Sequence, residues 1–414
     1  MPKEIRRLEK RKTRMTGVNL TFAVVVLILL GLGIVMMFSA SYAIAINEEK
    51  PGYYYALRQM IFGGVGLIAM VIISFIDYHI YQKVWVAVGS YAGSVVLLIL
   101  VMIIGTDLGS GCKRWIRLPG GQTFQPSELA KFAIVILFAY LIDMHHDKMK
   151  KFKVGTLPFI LLLAVIAGLL MLQPHLSATI LIALIGVAMI FVGGAKWWHL
   201  VLTGLVGVAG LAAVVIQKVM SGTGYFAVRL RTWRDPFASE EGFQSQQSLI
   251  AIGSGGLFGL GLGESRQKFL YLPESENDFV FSIVCEELGL VGAITVILLF
   301  ILLIAEGFHI ATHCKDRFGM MIAVGFTLQI GLQAFINIAV VSNLMPNTGI
   351  SLPFFSYGGT ALLMQLAQMG IVLNVSRGRY VVGEERSSSS SSSSRSSRHR
   401  NVSSHSRTAE TQKG

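Results

Sequence analysis

The sequence predicts an all-α polytopic membrane protein with about ten transmembrane helices. Of its 414 residues, 53% are hydrophobic and only 14% are charged, whereas about a quarter of a soluble domain is charged. The apolar runs approach the roughly 20 residues that cross a bilayer. These runs are continuous and do not alternate with polar residues, which favours helices over a β-barrel.

Ten spans are predicted, and the short loops between them carry much of the charge. The basic head, residues 1–16, places the N-terminus in the cytoplasm, and alternation then places the segments around Lys150, Lys196 and Lys315 inside as well. An even number of spans returns the C-terminus to the cytoplasm. Basic residues in the cytoplasmic loops and ends, which orient a membrane protein, account for the net charge of +12. No nucleic-acid partner is therefore predicted. The spans are 17–39, 59–76, 84–105, 127–144, 155–172, 176–194, 199–218, 279–304, 318–341 and 357–376.

The transmembrane domain, residues 17–376, is followed by a cytoplasmic tail, residues 377–414. The tail is rich in Ser and Arg and has too few apolar residues to bury a core, so it is predicted to be disordered. Between the seventh and eighth spans, residues 219–278 form a large extracellular loop, and loops of this length are usually functional. Its apolar, glycine-rich stretch 253–263 is expected to lie on the bilayer or to dip into a cavity, where its backbone comes close to a ligand.

Asp278 is the candidate catalytic residue. It ends the large outer loop and comes directly before the eighth apolar span. Partial removal from water at this boundary is expected to raise the pKa of its carboxyl group and to make it a proton acceptor. Because Asp is a common helix N-cap, capping of the following helix is the alternative. Glu287, about two turns further along, is predicted to be a packed hydrogen-bonding residue.

Two outer segments that are far apart in the sequence bring cations to the same face. Arg114 stands before the fourth span, and Arg229 and Lys268 stand in the large outer loop. Guanidinium and ammonium groups suit phosphate oxygens, so the joint pattern predicts an anionic ligand. For any single arginine, pairing with a nearby carboxylate such as Glu274 is the alternative.

Glu128 and Lys131 lie near the start of the fourth span, three residues apart on one helix face. A charge at the centre of a span costs about 2.5–3.5 kcal/mol on insertion scales, and charges that remain there usually face a cavity. Lys131 is therefore a candidate ligand for a pyrophosphate or for Asp278, and an ion pair with Glu128 is the alternative. His175, in a tight outer turn, is either a ligand or a satisfied structural residue.

The last outer turn, residues 343–359, is rich in proline, glycine and aromatic residues and includes Ser356. Such a composition at membrane depth predicts a re-entrant or broken segment that lines a cavity. An aromatic belt at the membrane surface is the alternative.

Three groups of residues form long motifs on the predicted outer face. They are 114–116 with 125–131, then 229–237 with 242–244, 247–248, 261–263, 272–274 and 278–279, and finally 346–349 with 356–359. In this order they resemble the SEDS family of bacterial cell-wall proteins, of the FtsW, RodA and SpoVE type. The head and the tail lie outside the resemblance, and His175 stands where the family more commonly has an acidic residue.

The resemblance implies a peptidoglycan glycosyltransferase that polymerises lipid II, a disaccharide-pentapeptide on undecaprenyl pyrophosphate, at the outer face of the membrane. Asp278 occupies the position of the family's essential aspartate. It is implied to remove the proton from the acceptor's GlcNAc 4-hydroxyl, whose oxygen then attacks the donor anomeric carbon with inversion.

The resemblance also implies the residues that bind the substrate. Arg114, Lys131, Arg229 and Lys268 are implied to offset charge on the leaving pyrophosphate, alone or with a divalent cation, Mg²⁺ or Mn²⁺, for which no ligands are identified. The matching motifs further include Trp115, Glu128, Glu274 and Ser356, which are assigned to substrate binding on the same basis.

The implied partners are a class B penicillin-binding protein, which is a transpeptidase with one span, and other division or sporulation proteins. The implied location is the bacterial cytoplasmic membrane, as a multi-pass protein at the division septum. A lipid II flippase and a non-catalytic scaffold that recruits a transpeptidase are the competing functions. A flippase requires polar groups along a path through both leaflets, whereas this sequence concentrates them on the outer face.

Overall fold

The computed structural model describes residues 18–106, 113–118, 122–205, 207, 210, 229, 232–238 and 242–377. The basic head, the tail beyond Arg377, most of the predicted seventh span and residues 219–228, 230–231 and 239–241 of the large outer loop lie outside the described residues. We call the end of the helices that holds Asp278 the outer end, following the orientation that the charge pattern predicts.

The described residues form ten long or medium helices and one short hairpin. The hairpin strands are antiparallel, with Arg117 opposite Thr123. The elements in chain order are α1 Leu20–Asn47, α2 Tyr54–Phe75, α3 Val84–Ile104, β1 Ile116–Leu118, β2 Gln122–Phe124, α4 Pro126–His145, α5 Leu157–Leu172, α6 Leu176–Val192, α7 Phe243–Ser254, α8 Val280–Thr312, α9 Arg317–Val341 and α10 Gly359–Arg377.

The helical architecture of a multi-pass membrane protein is confirmed. Within the described part of the chain, helices α1–α6 and α8–α10 coincide with nine of the predicted spans. Seven described helices are long and apolar enough to cross a membrane, and α6 is apolar but shorter. The count of ten spans and the cytoplasmic placement of both termini stay predictions. The hairpin and α7 were not predicted, and α1 and α8 run eight residues beyond the predicted ends at 39 and 304.

Helix α9 lies at the centre of the bundle and contacts α4, α6, α8 and α10. Of the 18 residues in its most apolar stretch, 72% are buried inside the protein. Its amides Gln329, Gln333 and Asn337 are spaced by four residues and therefore share one face. Because that face meets other helices and not lipid, the amides find hydrogen-bond partners there.

Helix α8 is broken at Gly289, which adopts φ +66° and ψ −166°. The glycine-rich stretch that follows α7 inserts its backbone into this break. Leu260 N and Gly261 N donate to the Glu286 and Glu287 carbonyls at 2.9 and 3.1 Å. Leu290 N donates in turn to the Gly256 carbonyl at 2.9 Å. The sequence predicts that this backbone comes close to a ligand. In the structure it instead pairs with the backbone N–H and C=O groups that the break in α8 leaves without helical partners.

Two carboxylates beside the break fix the rest of this outer segment. Glu286 accepts from the Arg266 backbone N–H at 3.1 Å. Glu287 accepts from the Ser39 hydroxyl at 2.5 Å, the Ser265 N–H at 3.2 Å and the Lys268 ammonium at 3.0 Å. The prediction that Glu287 is a packed hydrogen-bonding residue is confirmed.

Replacing Gly289 by Ala is expected to lower the free energy of unfolding by at least about 2 kcal/mol, because a side chain is strained at positive φ. The new Cβ would also lie 2.3 Å from the Gly259 backbone nitrogen, so either α8 or the glycine-rich stretch must move to make room for it. Thermal unfolding in detergent measures the effect. Gly64→Ala is the matched control, since its Cβ meets nothing within 4 Å and Gly64 lies inside α2. Equal melting temperatures for the two variants would contradict this explanation of the break.

Candidate active site

Asp278 stands at the outer end, two residues before α8. The N-cap residue of α8 is Phe279, so Asp278 does not cap this helix. Asn337 holds the backbone of Asp278 in place by donating through Nδ2 to the Asp278 carbonyl at 2.7 Å and to the Ile350 carbonyl at 2.6 Å. The carboxylate lies against Gly349, where a Cβ would be 3.2 Å from Asp278 Oδ2. A glycine at 349 thus leaves room for the acid.

The residues before Asp278 form a tight turn, 274–278, which we call the Asp278 loop. The Asn277 and Phe279 backbone N–H groups donate to the Glu274 carbonyl at 3.0 and 3.2 Å. Ser356 donates through its hydroxyl to the Asn277 carbonyl at 2.6 Å, and Tyr357 N donates to the Glu276 carbonyl at 2.9 Å. Ser356 therefore fixes the loop that positions Asp278, a role that differs from direct contact with substrate.

A small polar cleft with a volume of about 40 Å³ opens beside Gly349. It is lined by α4, by the start of α6, by Gln333 of α9 and by 349–351 of the last outer turn. Since Gly349 both lines the cleft and touches the Asp278 carboxylate, the acid lies at the edge of this space. The last outer turn is thus a broken segment that lines a cavity, as the sequence predicts.

Glu128 and Lys131 form a buried ion pair within the cleft. Lys131 Nζ lies 2.7 Å from Glu128 Oε1, and the two side chains are 4% and 8% exposed. The ammonium also donates to Gln333 Oε1 at 3.2 Å, whereas Glu128 Oε2 has no hydrogen-bond partner among the described residues. The ion-pair alternative is confirmed, and both side chains line the cleft.

Arg114 and Arg229 are the cations that interact electrostatically with the Asp278 carboxyl group. Arg114 donates through Nη2 to the Pro174 carbonyl, and Arg229 donates through Nη1 to the Asn347 carbonyl at 2.7 Å. Burial raises the pKa of Asp278 to about 7, and the charge of Glu274 acts in the same direction, while Arg229 and Arg114 oppose it. At neutral pH the carboxyl is therefore divided between its acid and base forms.

Trp115 and Lys268 have different surroundings. Trp115 pairs through its backbone with Thr106, accepting from Thr106 N at 2.8 Å, and so fixes the strand that follows Arg114. The Lys268 ammonium contacts Glu287, Ser39 and the Gly263 carbonyl. It lies in a separate, largely apolar pocket between α1 and the outer loop. The structure therefore does not bring Lys268 into the cleft beside Asp278.

His175 lines the same cleft and is 7% exposed. Burial lowers the pKa of its imidazole to about 3, and the nearby charges of Arg114 and Lys131 act in the same direction. The ring is therefore neutral at physiological pH, with its Nε2 3.3 Å from Gln125 Nε2. A neutral imidazole can accept or donate a hydrogen bond to a ligand in the cleft.

Sequence reasoning missed Asn337, Gln333 and Glu276. The two amides of α9 hold Asp278, Lys131 and the last outer turn in one arrangement. Their signal is present in the sequence, since polar side chains recur every four residues within an otherwise apolar run. Glu276 offers no such signal, because its burial depends on contacts that the loop makes only after folding.

Comparison with known proteins identifies relatives over nearly the whole described chain. A sequence model of the cell cycle protein family that comprises FtsW, RodA and SpoVE matches residues 19–381. The chain is 38% identical over 364 residues to a probable peptidoglycan glycosyltransferase FtsW of Geobacter sp. strain M18, covering 88% of this chain and 98% of the relative. It is also 38% identical over 372 residues to stage V sporulation protein E of Bacillus subtilis strain 168, again covering 88% and 98%.

Two solved structures share the fold. A chain from a peptidoglycan synthase complex that coordinates polymerization and crosslinking has a TM-score of 0.71 at 28% identity, covering 88% of this chain and 98% of that chain. The rod shape determining protein RodA of Thermus thermophilus has a TM-score of 0.64 at 29% identity, covering 88% and 98%.

Proposed function

Because the chain belongs to the FtsW/RodA/SpoVE family, we propose that it is an inverting peptidoglycan glycosyltransferase that polymerises lipid II at the outer face of the cytoplasmic membrane. One observation supports this most directly. The Asp278 carboxyl group, with a pKa of about 7, lies at the edge of a polar cleft and interacts electrostatically with Arg114 and Arg229. A general base works best when its pKa lies near the operating pH.

In the proposed reaction, Asp278 accepts the proton of the acceptor's GlcNAc 4-hydroxyl as the oxygen attacks the donor anomeric carbon. The bond from that carbon to the pyrophosphate breaks, and undecaprenyl pyrophosphate leaves with the bonding electrons. Arg114 and Arg229 offset the charge on the leaving group, since their charges already reach the neighbourhood of Asp278. The Glu128–Lys131 ion pair, which has no net charge, and His175 hydrogen-bond the donor within the cleft.

A divalent cation, Mg²⁺ or Mn²⁺, would fit this site only as a companion of the substrate. Among the described residues, no group of three or more His, Cys, Asp or Glu side chains could hold a metal ion. Mg²⁺ commonly takes one or two carboxylates together with substrate phosphates. Asp278 and the unpartnered Glu128 Oε2 are the carboxylate oxygens available beside the cleft. Such a cation would supply positive charge to the pyrophosphate.

The proposed partner is a class B penicillin-binding protein that crosslinks the new strands. The structural likeness to a chain of a complex that couples polymerization and crosslinking supports this choice. Relatives named FtsW and stage V sporulation protein E support a place in division or sporulation, and hence at the septum.

The function is tested with the purified protein, its cognate transpeptidase and labelled lipid II in vesicles. Glycan strands are the expected product, separated by gel electrophoresis. Movement of labelled lipid II between leaflets without strands would instead favour the flippase function. Neither activity would favour the scaffold function.

Glu274→Gln is expected to shift the pH dependence of polymerisation toward lower pH. Glu274 raises the pKa of Asp278 through its charge, so removing that charge lowers the pKa and fills the base form of Asp278 at lower pH. The Gln oxygen can still accept from Asn277 Nδ2, which now lies 2.6 Å from Glu274 Oε2. Initial rates from pH 5 to 9 measure the rising limb. A limb that stays at the wild-type pH would exclude Asp278 as the group that titrates.

A further inference from the structure

Two loops at the end of the bundle opposite to Asp278 take no part in the steps above. Helices α4 and α6 both begin beside the polar cleft, so their last residues lie at the opposite end, which we call the inner end. One loop, 146–156, joins α4 to α5, and the other, 193–199, follows α6. Because α4 has 20 residues, it places the inner end about 30 Å from the cleft.

Contacts between the two loops hold them side by side. The Phe152 and His199 rings meet edge to face, with centroids 5.2 Å apart. The hydroxyl of Thr156, which is buried, lies 3.4 Å from Nδ1 of the same imidazole. The exposed side chains of the two loops therefore form one continuous surface, which we call the inner basic surface.

The inner basic surface is rich in cations. It carries five lysines, all of them exposed: Lys148, Lys150, Lys151, Lys153 and Lys196. None of the ion pairs among the described residues involves these lysines. The single carboxylate of the two loops, Asp147, lies 2.7 Å from His146 Nε2, and the nearby Asp143 accepts from Gln82 Nε2 at 2.9 Å. The charge of the five ammonium groups is therefore left for a partner outside the protein.

Two tryptophans belong to the same surface. Trp197 and Trp198 are 52% and 63% exposed, and their rings stack with centroids 3.6 Å apart. Trp233 donates its indole N–H to the Asn343 carbonyl at 3.0 Å, whereas neither indole of this pair donates to a group in the described part of the chain. Exposed indoles at the end of a span are typical of the level of the lipid headgroups.

An apolar stripe leads away from the inner basic surface along α5. Leu157, Leu161 and Val165 are all exposed, and their spacing of four residues places them on one face of the helix. The segment that contains them, 152–172, is long and apolar enough to cross a membrane. A headgroup at the lysines therefore has a surface for its hydrocarbon chains directly beside it.

We propose that the inner basic surface is a binding site for an anionic phospholipid of the inner leaflet. The headgroup phosphate accepts hydrogen bonds from the lysine ammonium groups, and the Trp197 and Trp198 indoles donate to phosphate or ester oxygens. Charge complementarity favours this occupant over a zwitterionic lipid, whose headgroup carries its own cation. The site lies far from the cleft and does not depend on the proposed function.

The test uses the full-length protein in detergent with phosphatidylglycerol as the probe, and native mass spectrometry measures Kd. Lys150→Gln/Lys151→Gln removes two of the cations, so its Kd is expected to rise about tenfold. Lys150→Arg/Lys151→Arg keeps both charges and is expected to bind within about threefold of the wild type. Trp197→Leu/Trp198→Leu is expected to weaken binding although it changes no charge.

The matched control is Lys315→Gln/Arg317→Gln. It removes the same number of charges from exposed residues between α8 and α9, where the chain has no tryptophan. Its Kd is expected to equal that of the wild type. Equal Kd values for the two Gln variants would overturn the site, because binding would then reflect only the general attraction between cations and an anionic lipid.

Two further probes show which part of the lipid is recognised. Phosphatidylethanolamine, whose headgroup has no net charge, is expected to bind more weakly; equal affinity would contradict recognition of the phosphate charge. Glycerol 3-phosphate has the phosphate but no chains and is expected to leave phosphatidylglycerol bound. Complete displacement would overturn the lipid site in favour of one for soluble phosphates.

Thermal unfolding separates lost binding from lost folding. Without added lipid, Lys150→Gln/Lys151→Gln is expected to melt like the wild type, since surface substitutions of this kind have small effects. A ligand that binds only the folded protein stabilises it, so phosphatidylglycerol should raise the Tm of the wild type and of the Arg variant more than that of the Gln variant. A rise of equal size in all three would contradict the site.

Discussion

Asp278→Asn is expected to lower the rate of lipid II polymerisation by about 10²–10⁴-fold, which is the usual contribution of a positioned general base. Asn has nearly the shape of Asp and can keep the backbone contacts to Asn337, yet its amide does not take up a proton at neutral pH. The loss should therefore appear in kcat. In the wild type, the rate is expected to rise with pH through about 7, where burial sets the pKa of Asp278.

Glu264→Gln is the matched control for this result. Glu264 is also an outer carboxylate, but it is exposed and does not line the polar cleft. Its variant is expected to polymerise lipid II at the wild-type rate. Equal rates for Asp278→Asn and the wild type would exclude Asp278 as the general base. They would favour Glu276 in that role, since it is the other carboxyl group of this loop whose pKa is raised to about 7.

The stability of Asp278→Asn shows whether lost activity reflects lost folding. Folding raises the pKa of Asp278 to about 7 from about 3.9 in the unfolded chain. Between these values the folded protein binds more protons than the unfolded chain, so this group makes the protein less stable as pH rises through the window. The variant lacks this penalty and is expected to melt higher than the wild type at pH 8, with little difference at pH 4.

Much of the fold was predictable because a membrane imposes a simple requirement on sequence. A continuous apolar run must become a helix, so α1–α6 and α8–α10 could be placed from hydropathy. The break at Gly289 could not, since hydropathy does not report backbone angles. The hairpin was missed because strands of three residues, 116–118 and 122–124, are too short to show a period.

The candidate site was predictable as a set of residues on one face but not as a set of contacts. Asp278, Arg114 and Arg229 were grouped by their predicted side of the membrane, and their charges do interact. Lys268 was grouped with them by the same reasoning. It instead meets Ser39 of α1, which is 229 positions away in the chain. Such a pairing is decided by how helices pack, and one sequence alone does not reveal it.

Lys131→Met is expected to destabilise the protein by about 3–5 kcal/mol, because it leaves the buried Glu128 carboxylate without its counter-charge. Glu128 Oε2 already has no partner among the described residues, so no second group compensates for the loss. Thermal unfolding in detergent at neutral pH measures the change. Lys83→Met is the matched control, since Lys83 is exposed and its replacement leaves no buried charge.

The double variant Glu128→Gln/Lys131→Met separates the structural role of this pair from its role in the reaction. Replacing both members of a buried ion pair by neutral groups is often close to neutral for stability, so the melting temperature should return toward the wild-type value. Polymerisation should stay low, since the cleft then lacks the ammonium that would contact the donor. If strand synthesis returned together with stability, the pair would serve folding alone, and binding of the donor would fall to Arg114 and Arg229.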